Sequence, residues 1–193
     1  MGYEEKQNAL IRKKTADYYA ERLKAAEILR ARSEDLKTIV TPEDMPWETC
    51  PQGLLKHLVH EKMGTAENTL DLVMQLIPGG SRSGKHRHFG EEYMFILEGR
   101  GYSLHWDVEM ELGDAYGWRI PATSSRWEWE AGDSVYIPPN TVHQHFNADP
   151  DNPVRFISAE SRMVRFMGLD DLEQLEDAPE FKTDKTSDAA TAK

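Results

Sequence analysis

The hydrophobic and polar positions of this chain divide it into a helical start and a long series of short strands. Residues 4–37 are rich in Glu, Lys, Arg, Ala and Leu and contain neither Gly nor Pro. This pattern predicts one amphipathic helix that lies on the domain or on a neighbouring subunit. Pro42 and Pro46 then prevent the helix from continuing.

After Pro46 the chain consists of short apolar or alternating runs separated by Gly, Pro, Asn and Asp. Such spacing is typical of an all-β sandwich or barrel rather than of alternating strands and helices. Residues 107–125 alternate less clearly, so we predict a long excursion between two strands there, of the kind that often forms a lid or binding loop. The predicted strands are 54–60, 69–77, 93–97, 102–106, 126–130, 134–137, 142–146 and 154–159.

The end of the chain is acidic and then polar. Residues 169–177 are compatible with one short acidic helix, and the run from Lys182 onward is rich in Ser, Thr, Ala, Asp and Lys. This composition offers too little apolar surface to offset the entropy of ordering. We therefore divide the chain into a helical extension (1–40), a β-barrel (41–167) and an acidic, disordered tail (168–193).

Composition excludes several classes of function. The chain has 193 residues, enough for one domain with a real core, and a formal net charge of -11, which disfavours binding to nucleic acid. Its apolar runs are too short to span a membrane, and residues 1–10 are too polar for a signal peptide. Cys50 is the only cysteine, so no intrachain disulfide can form. We expect a cytoplasmic protein that binds neither nucleic acid nor membrane.

Two blocks of the sequence together predict a metal site. The first holds His86, His88 and Glu92, and the second holds His143. Alternation along a strand puts His86 and His88 on one face, and Gly90 lets the chain bend so that Glu92 returns to the same pocket. Three imidazoles and a carboxylate suit iron(II), manganese or nickel, and zinc is a further candidate.

His145 complicates this prediction because alternation places it on the same face as His143. It could replace His143, add a ligand, or line the pocket as an acid or base. We favour His143 as the ligand and His145 as the pocket residue, and we name His145 as the candidate catalytic group.

The alternation of residues after Glu92 predicts which side chains line the pocket. An inward Glu92 turns Met94 and Ile96 inward as well, below the metal. The opposite face then carries Tyr93, Phe95 and Leu97, which predicts a sheet buried on both sides. Gly99 is expected to supply the tight turn that closes a hairpin.

These two blocks resemble the motifs of the cupin family. Residues 80–99 match the first motif, Gly-x5-His-x-His-x3-Glu-x6-Gly, at every defined position. The second motif is matched at Gly132, Pro138, His143 and Asn147, with Asn140 where Gly is usual. Asn tolerates the left-handed conformation better than most residues do, so this departure is small.

The resemblance covers roughly residues 54–161 and implies a six- to eight-stranded antiparallel jelly-roll barrel. It also implies that His86, His88, Glu92 and His143 are the metal ligands. Similar cupins include ring-cleaving dioxygenases of the gentisate type and commonly pair through edge strands. A homodimer or a higher homo-oligomer is therefore expected, with the N-terminal helix as extra apolar surface.

Four protein ligands on an octahedral ion leave two positions for substrate and for water or dioxygen. The first hypothesis is accordingly an iron(II)-dependent dioxygenase acting on a small aromatic or oxygenated organic acid. The second is a metal-dependent lyase, decarboxylase or isomerase, and the third is a non-catalytic cupin that binds a small ligand. Substrate contacts are predicted at Gln75, Arg87, Met94, Tyr136 and Phe146.

Overall fold

The computed structural model describes residues 2, 5, 16–32, 36–67, 69–114 and 116–182. The chain divides into two units, Met1–Lys37 and Thr38–Lys193. The first unit contains helix α1 (Tyr18–Arg32). Glu21 lies in its first turn, where a negative charge interacts favourably with the helix dipole. Most of the remainder of the predicted N-terminal helix lies outside the described residues.

In the described part of the second unit, thirteen strands form two larger antiparallel sheets and one hairpin. The six-stranded sheet has the order β1-β2-β3-β12-β5-β10, the five-stranded sheet has the order β13-β4-β11-β6-β9, and β7 pairs with β8. The predicted all-β, antiparallel jelly-roll class is thereby confirmed. The strands are β1 (Trp47–Cys50), β2 (Gly53–Val59), β3 (Leu70–Ile77), β4 (Lys85–Arg87), β5 (Glu92–Glu98), β6 (Arg100–Trp106), β7 (Glu109–Leu112), β8 (Tyr116–Arg119), β9 (Ser125–Glu130), β10 (Ser134–Ile137), β11 (Val142–Asn147), β12 (Val154–Ser161) and β13 (Glu173–Glu176).

Short helical segments complete the unit. They are two 3-10 turns, Pro42–Asp44 and Glu61–Met63, and helix α2 (Met163–Phe166). Among the residues that the structure covers, no helix has the length and apolar character needed to cross a membrane.

All eight predicted strands are present, but the excursion at residues 107–125 contains strands of its own. β7 and β8 form an antiparallel hairpin in which Glu109 lies opposite Arg119. The sequence of β7 alternates between Glu and an apolar residue, but all four side chains are exposed, so this strand has no buried face. Backbone pairing and the contacts of Arg119 with Glu109 and Glu111 hold the hairpin instead.

The chain after residue 168 differs from the disordered tail that the sequence predicted. Residues 169–177 contain β13 rather than a short helix, and β13 pairs with the edge strand β4. Ala178 is buried, and its N–H donates to the carbonyl of Pro51 at 2.8 Å. Backbone bonds to an open sheet edge order this segment despite its acidic composition. Residues 183–193 of the predicted tail lie outside the described part, and the three-part division of the chain remains a prediction.

The hydrophobic core lies between the two larger sheets. The first sheet contributes inward side chains such as Met94, Ile96 and Phe156, and the second contributes Trp129, whose ring meets that of Phe156 edge to face with 6.3 Å between centroids. Each large side chain buried in this way contributes roughly 1.5–3 kcal/mol to folding. Alternation therefore predicted the inward face of β5 correctly.

The outward face of β5 does not follow the prediction. Tyr93, Phe95 and Leu97 are 55%, 50% and 44% exposed. The expectation that both faces of this sheet are buried is therefore wrong for the single chain. The expected homo-oligomer, which could cover such a face, remains a prediction.

Gly99 joins the two sheets instead of closing a hairpin. β5 pairs with β10 and β12, whereas β6 pairs with β9 and β11, so the chain leaves one sheet at Gly99 and enters the other. Its φ of +85° lies in the left-handed region, and a Cβ atom there would overlap the side chain of Val154. The residue therefore needs both the conformational freedom and the small size of glycine.

Replacing Gly99 by Ala should destabilise the barrel more than replacing Gly132 by Ala. Both glycines have positive φ values, +85° and +97°, but nothing lies within 4 Å of a Cβ built on Gly132. The left-handed conformation should cost each variant roughly 1–2 kcal/mol, and the overlap with Val154 should add roughly 1–3 kcal/mol to G99A. Chemical denaturation measures the difference, and equal losses in the two variants would contradict this account.

Candidate metal centre

The four predicted ligands come together at one end of the barrel. His143 in β11 lies directly opposite His86 in β4, His88 follows β4, and Glu92 begins β5. Their donor atoms all lie within 4.8 Å of one another. The four residues are between 0% and 8% exposed, so the group is shielded from solvent.

Local structure explains why the chain passes through this point. Asn140 adopts a φ of +63°, as expected for a residue that replaces the usual Gly, and its N–H donates to the carbonyl of His88 at 3.0 Å. Its side-chain oxygen also accepts a hydrogen bond of 2.5 Å from Arg87 Nη1. Asn140 therefore ties the loop before β11 to β4, which a glycine side chain could not do.

Two backbone carbonyls fix the orientation of two of the imidazoles. His143 Nδ1 donates to the carbonyl of Thr141 at 2.9 Å, and His88 Nδ1 donates to the carbonyl of Gly90 at 2.8 Å. Since a carbonyl only accepts, the proton of each neutral ring must lie on Nδ1. Each Nε2 then offers a lone pair, and these atoms lie 3.5 Å and 3.2 Å from Glu92 Oε2.

Lone pairs and a carboxylate that face one another repel unless a cation or a proton lies between them. His143 Nε2 and His86 Nδ1 are buried and have no hydrogen-bond partner in the described structure. Donors bound at about 2.1 Å to one ion lie about 3.0 Å apart when they are adjacent, which is close to the separations seen here. The residues therefore fit a divalent metal ion, held by His86, His88, Glu92 and His143.

The protonation states of the group match this interpretation. Burial, together with the nearby charges of His143 and His88, holds the pKa of His86 well below its ordinary value, so His86 is neutral. Burial alone would raise the pKa of Glu92, but the adjacent His143 and His88 lower it well below its ordinary value. Glu92 is therefore an ionised carboxylate in a buried position.

His88 behaves differently in the absence of a metal. Burial alone would lower its pKa, but the hydrogen bond to Glu92 and the negative charges of Glu160 and Glu92 raise the pKa to about 9. A metal ion has to displace the proton that His88 then carries.

His145 lies beside the group and shares the inward face with His143, as alternation predicted. Ser103 Oγ accepts a hydrogen bond from Trp129 Nε1 at 3.0 Å and is hydrogen-bonded to His145 Nδ1 at 2.8 Å. Burial and the neighbouring His143 lower the pKa of His145 to about 3. His145 is therefore a neutral imidazole.

Arg87 is engaged in structural contacts rather than open to a substrate. Alternation turns it away from His86 and His88, and its side chain is 3% exposed. Its guanidinium donates to Asp171 and Glu173 at 2.8 Å each, in addition to Asn140. The predicted substrate contact at Arg87 is thus replaced by an anchor for the C-terminal segment.

Three other predicted substrate residues also lie away from the metal group. Phe146 and Tyr136 occupy outward positions, where Phe146 stacks on Tyr102 and Tyr136 packs on Tyr93. Gln75 is buried and donates to the carbonyl of Gln52 at 2.6 Å. Their role as substrate contacts stays a prediction.

Distance along the strands explains the position of Gln75. Gln75 pairs with Phe156 in β12, whereas the ligand Glu92 pairs with Glu160 in the same strand. Phe156 and Glu160 are four residues apart. Four residues of strand span about 13 Å, so Gln75 is far from the ligands. Met94, by contrast, is fully buried two residues after Glu92 and lies where it was predicted.

Two residues near the metal group were not assigned a role from the sequence. Glu160 is opposite Glu92 in the strand register, and its Oε1 lies 3.6 Å from His88 Nε2. Loss of hydration and the charge of Glu92 raise the pKa of Glu160 to about 7, although part of its side chain remains exposed. His105 pairs with His143 from β6, on the side of β11 that faces away from His86 and β4. The ring centroids of His105 and His143 are 6.4 Å apart.

A buried group of three histidines and one carboxylate, set between antiparallel sheets, defines a candidate metal-binding β-barrel. Residues 72–160 match the cupin domain family. The predicted resemblance to cupins is confirmed over these residues, whereas the resemblance to gentisate-type dioxygenases is not.

Individual relatives are distant. An uncharacterized protein of Methanocaldococcus jannaschii is 28% identical over 114 residues, which make up 56% of this chain and 75% of that protein. A cupin-like protein of Thermotoga maritima is 24% identical, with a TM-score of 0.43 over 64% of this chain and 76% of that one. Oxalate decarboxylase of Bacillus subtilis is 16% identical, with a TM-score of 0.44 over 56% of this chain and 26% of that one.

Replacing Glu92 by Gln or His86 by Ala should abolish tight metal binding, because each change removes a donor from a set of four. Suitable controls are E98Q, which changes a partly exposed carboxylate in the same strand, and H57A, which changes a histidine paired with Glu48. Metal content after purification, measured by plasma mass spectrometry, gives the result. Full metal content in E92Q and H86A would show that the donors are elsewhere.

Replacing Arg87 by Ala should destabilise the protein by about 2–3 kcal/mol, the scale of hydrogen bonds to charged partners. Arg155 provides a matched control because its pair with Glu98 is exposed on both sides. R155A should lose less than about 1 kcal/mol. Thermal and denaturant unfolding measure both values, and similar losses would argue against an anchoring role for Arg87.

Proposed function

We propose that this protein is a metal-dependent oxygenase, and specifically a dioxygenase acting on a small aromatic or oxygenated organic acid. The observation that carries the proposal is the buried set of three imidazoles and one carboxylate. Of the candidate metals, iron(II) is favoured, with manganese, nickel and zinc as alternatives. When bound, such an ion supplies Lewis acidity and, as iron(II), reactivity toward dioxygen.

The protein groups around the ligands suit this chemistry. Met94 is fully buried two residues after Glu92, and its apolar side chain helps to exclude water from the inner side of the site. His145 contributes a neutral imidazole whose Nδ1 is hydrogen-bonded to Ser103. We therefore retain His145 as the candidate catalytic group.

A lyase, decarboxylase or isomerase is the alternative, because the same donors could hold a metal that acts only as a Lewis acid. Glu160 favours this candidate, since a carboxylate 3.6 Å from His88 could carry a proton during a reaction that needs no dioxygen. Either function requires a small-molecule substrate. The protein is further proposed to act as a homodimer or larger homo-oligomer in the cytoplasm.

Oxygen consumption separates the two functions. Iron(II)-loaded protein, prepared without oxygen, should take up dioxygen when mixed with a substrate from a panel of aromatic diols, hydroxy acids and enediols. E98Q should behave like the unchanged protein, and E92Q should be inactive. Substrate loss without oxygen uptake would exclude the oxygenase and support the lyase or isomerase.

A further inference from the structure

Glu160 is a second carboxylate at the metal group, and the alternation of β12 brings it there. Val154, Phe156 and Ser158 are buried at every second position, and Glu160 continues this inward series. Its Oε1 lies 3.6 Å from the Nε2 atom of His88. This Nε2 is the atom that can bind a metal, because Nδ1 of the same ring is hydrogen-bonded to the carbonyl of Gly90. Glu160 is not part of the group of four whose donor atoms lie within 4.8 Å of one another. Its position therefore suits contact with a further ligand rather than with the metal.

Glu160 is one of the residues that line a small cavity. Its volume is about 40 Å³, which holds a water molecule or a hydroxyl group but not an aromatic ring. Glu160 and Arg165 are both partly exposed, so the body of a larger ligand can remain outside. The cavity is lined by Asp71, His88, Gly90, Glu160, Ser161, Arg162, Val164, Arg165 and Asp170.

The arginines of this cavity already have acidic partners. Arg162 lies 3.0 Å from Asp71 and 3.5 Å from Glu67. Arg165 lies 3.2 Å from Asp71 and 3.5 Å from Glu61. A ligand carboxylate in the cavity would therefore meet cations whose charge is already compensated.

The remaining charge at this position is negative. Glu160 lines the cavity, and Glu92 lies in register with it on the next strand. A ligand carboxylate beside Glu160 would bring two like charges together, whereas a hydroxyl could donate a charge-assisted hydrogen bond.

We propose that Glu160 determines which ligand binds beside His88 and Glu92, because it accepts a hydrogen bond from a hydroxyl group and repels a carboxylate. The inference rests on the metal site of the proposed function and narrows its substrate class. The substrate reaches this position through a hydroxyl, as a phenol, diol or enediol does, and any carboxylate it carries lies elsewhere.

Two ligands of similar shape test the proposal on cobalt(II)-loaded protein without oxygen. 4-Nitrocatechol keeps one hydroxyl proton at neutral pH, and 4-nitrobenzoate presents a carboxylate on a similar ring. The visible bands of cobalt(II) report binding of each compound, so dissociation constants can be measured without turnover. The variants are E160Q, E160D as the conservative change, and E98Q as the control on a neighbouring strand.

The unchanged protein, E98Q and E160D should prefer 4-nitrocatechol. E160Q should bind 4-nitrocatechol at least tenfold more weakly and bind 4-nitrobenzoate more tightly, while its cobalt content and melting temperature stay close to those of the unchanged protein. An unchanged ratio of the two dissociation constants in E160Q would overturn the role of Glu160, and so would loss of cobalt from E160Q. Because no turnover is involved, this result is independent of the oxygen-uptake result that tests the oxygenase.

Discussion

The repulsion between a buried carboxylate and the imidazole lone pairs that face it is the constraint on which this end of the barrel depends. Glu92 is 4% exposed, and its Oε2 lies within 3.5 Å of nitrogen atoms on both His88 and His143. An isolated ionised carboxylate in such a place is very unfavourable unless a positive charge compensates it. Protons serve this purpose in the metal-free protein, and a divalent ion serves it better because it satisfies all the donors at once.

The rest of the fold holds these donors against that repulsion. The carbonyls of Thr141 and Gly90 hold the rings of His143 and His88, and direct pairing of β11 with β4 places His143 opposite His86. Glu92 comes from the six-stranded sheet, which the chain re-enters after β4 and leaves again at Gly99. The metal group therefore joins the two sheets at one end, while the apolar core joins them along their length.

Alternation predicted the ligand group, and the same rule places Phe146 on the opposite face. It placed His86 with His88, and Glu92 with Met94, on the inward face, as found. Applied consistently, it would have turned Phe146 outward once His143 and His145 were inward. Aromatic character alone led to the prediction of a substrate contact there, although an outward aromatic on a sheet commonly packs on its own neighbours.

Other features depend on contacts between distant parts of the chain and were not predictable from local pattern. β13 is held in place by Arg87, which binds acidic side chains of the C-terminal segment. One of these, Glu173, lies eighty-six residues away from Arg87 in the sequence. Arg87 was expected to bind a substrate because nothing in its own sequence neighbourhood indicates those partners. The inward position of Glu160 was predictable, since the alternation of Val154 and Phe156 continues to it. Its proximity to His88, however, depends on the register between β12 and β5.

That register also gives the two carboxylates different properties. Glu92 and Glu160 are opposite each other on neighbouring strands, yet two adjacent histidines lower the pKa of Glu92, while lost hydration and the charge of Glu92 raise that of Glu160. Neighbouring acids whose pKa values are shifted in opposite directions usually have different roles. Glu92 is suited to remain ionised and hold a metal, and Glu160, at the partly exposed edge, is suited to contact a further ligand. The asymmetry follows from their partners, because Glu92 Oε2 lies within 3.5 Å of both His88 and His143, whereas Glu160 lies 3.6 Å from His88 and is partly exposed.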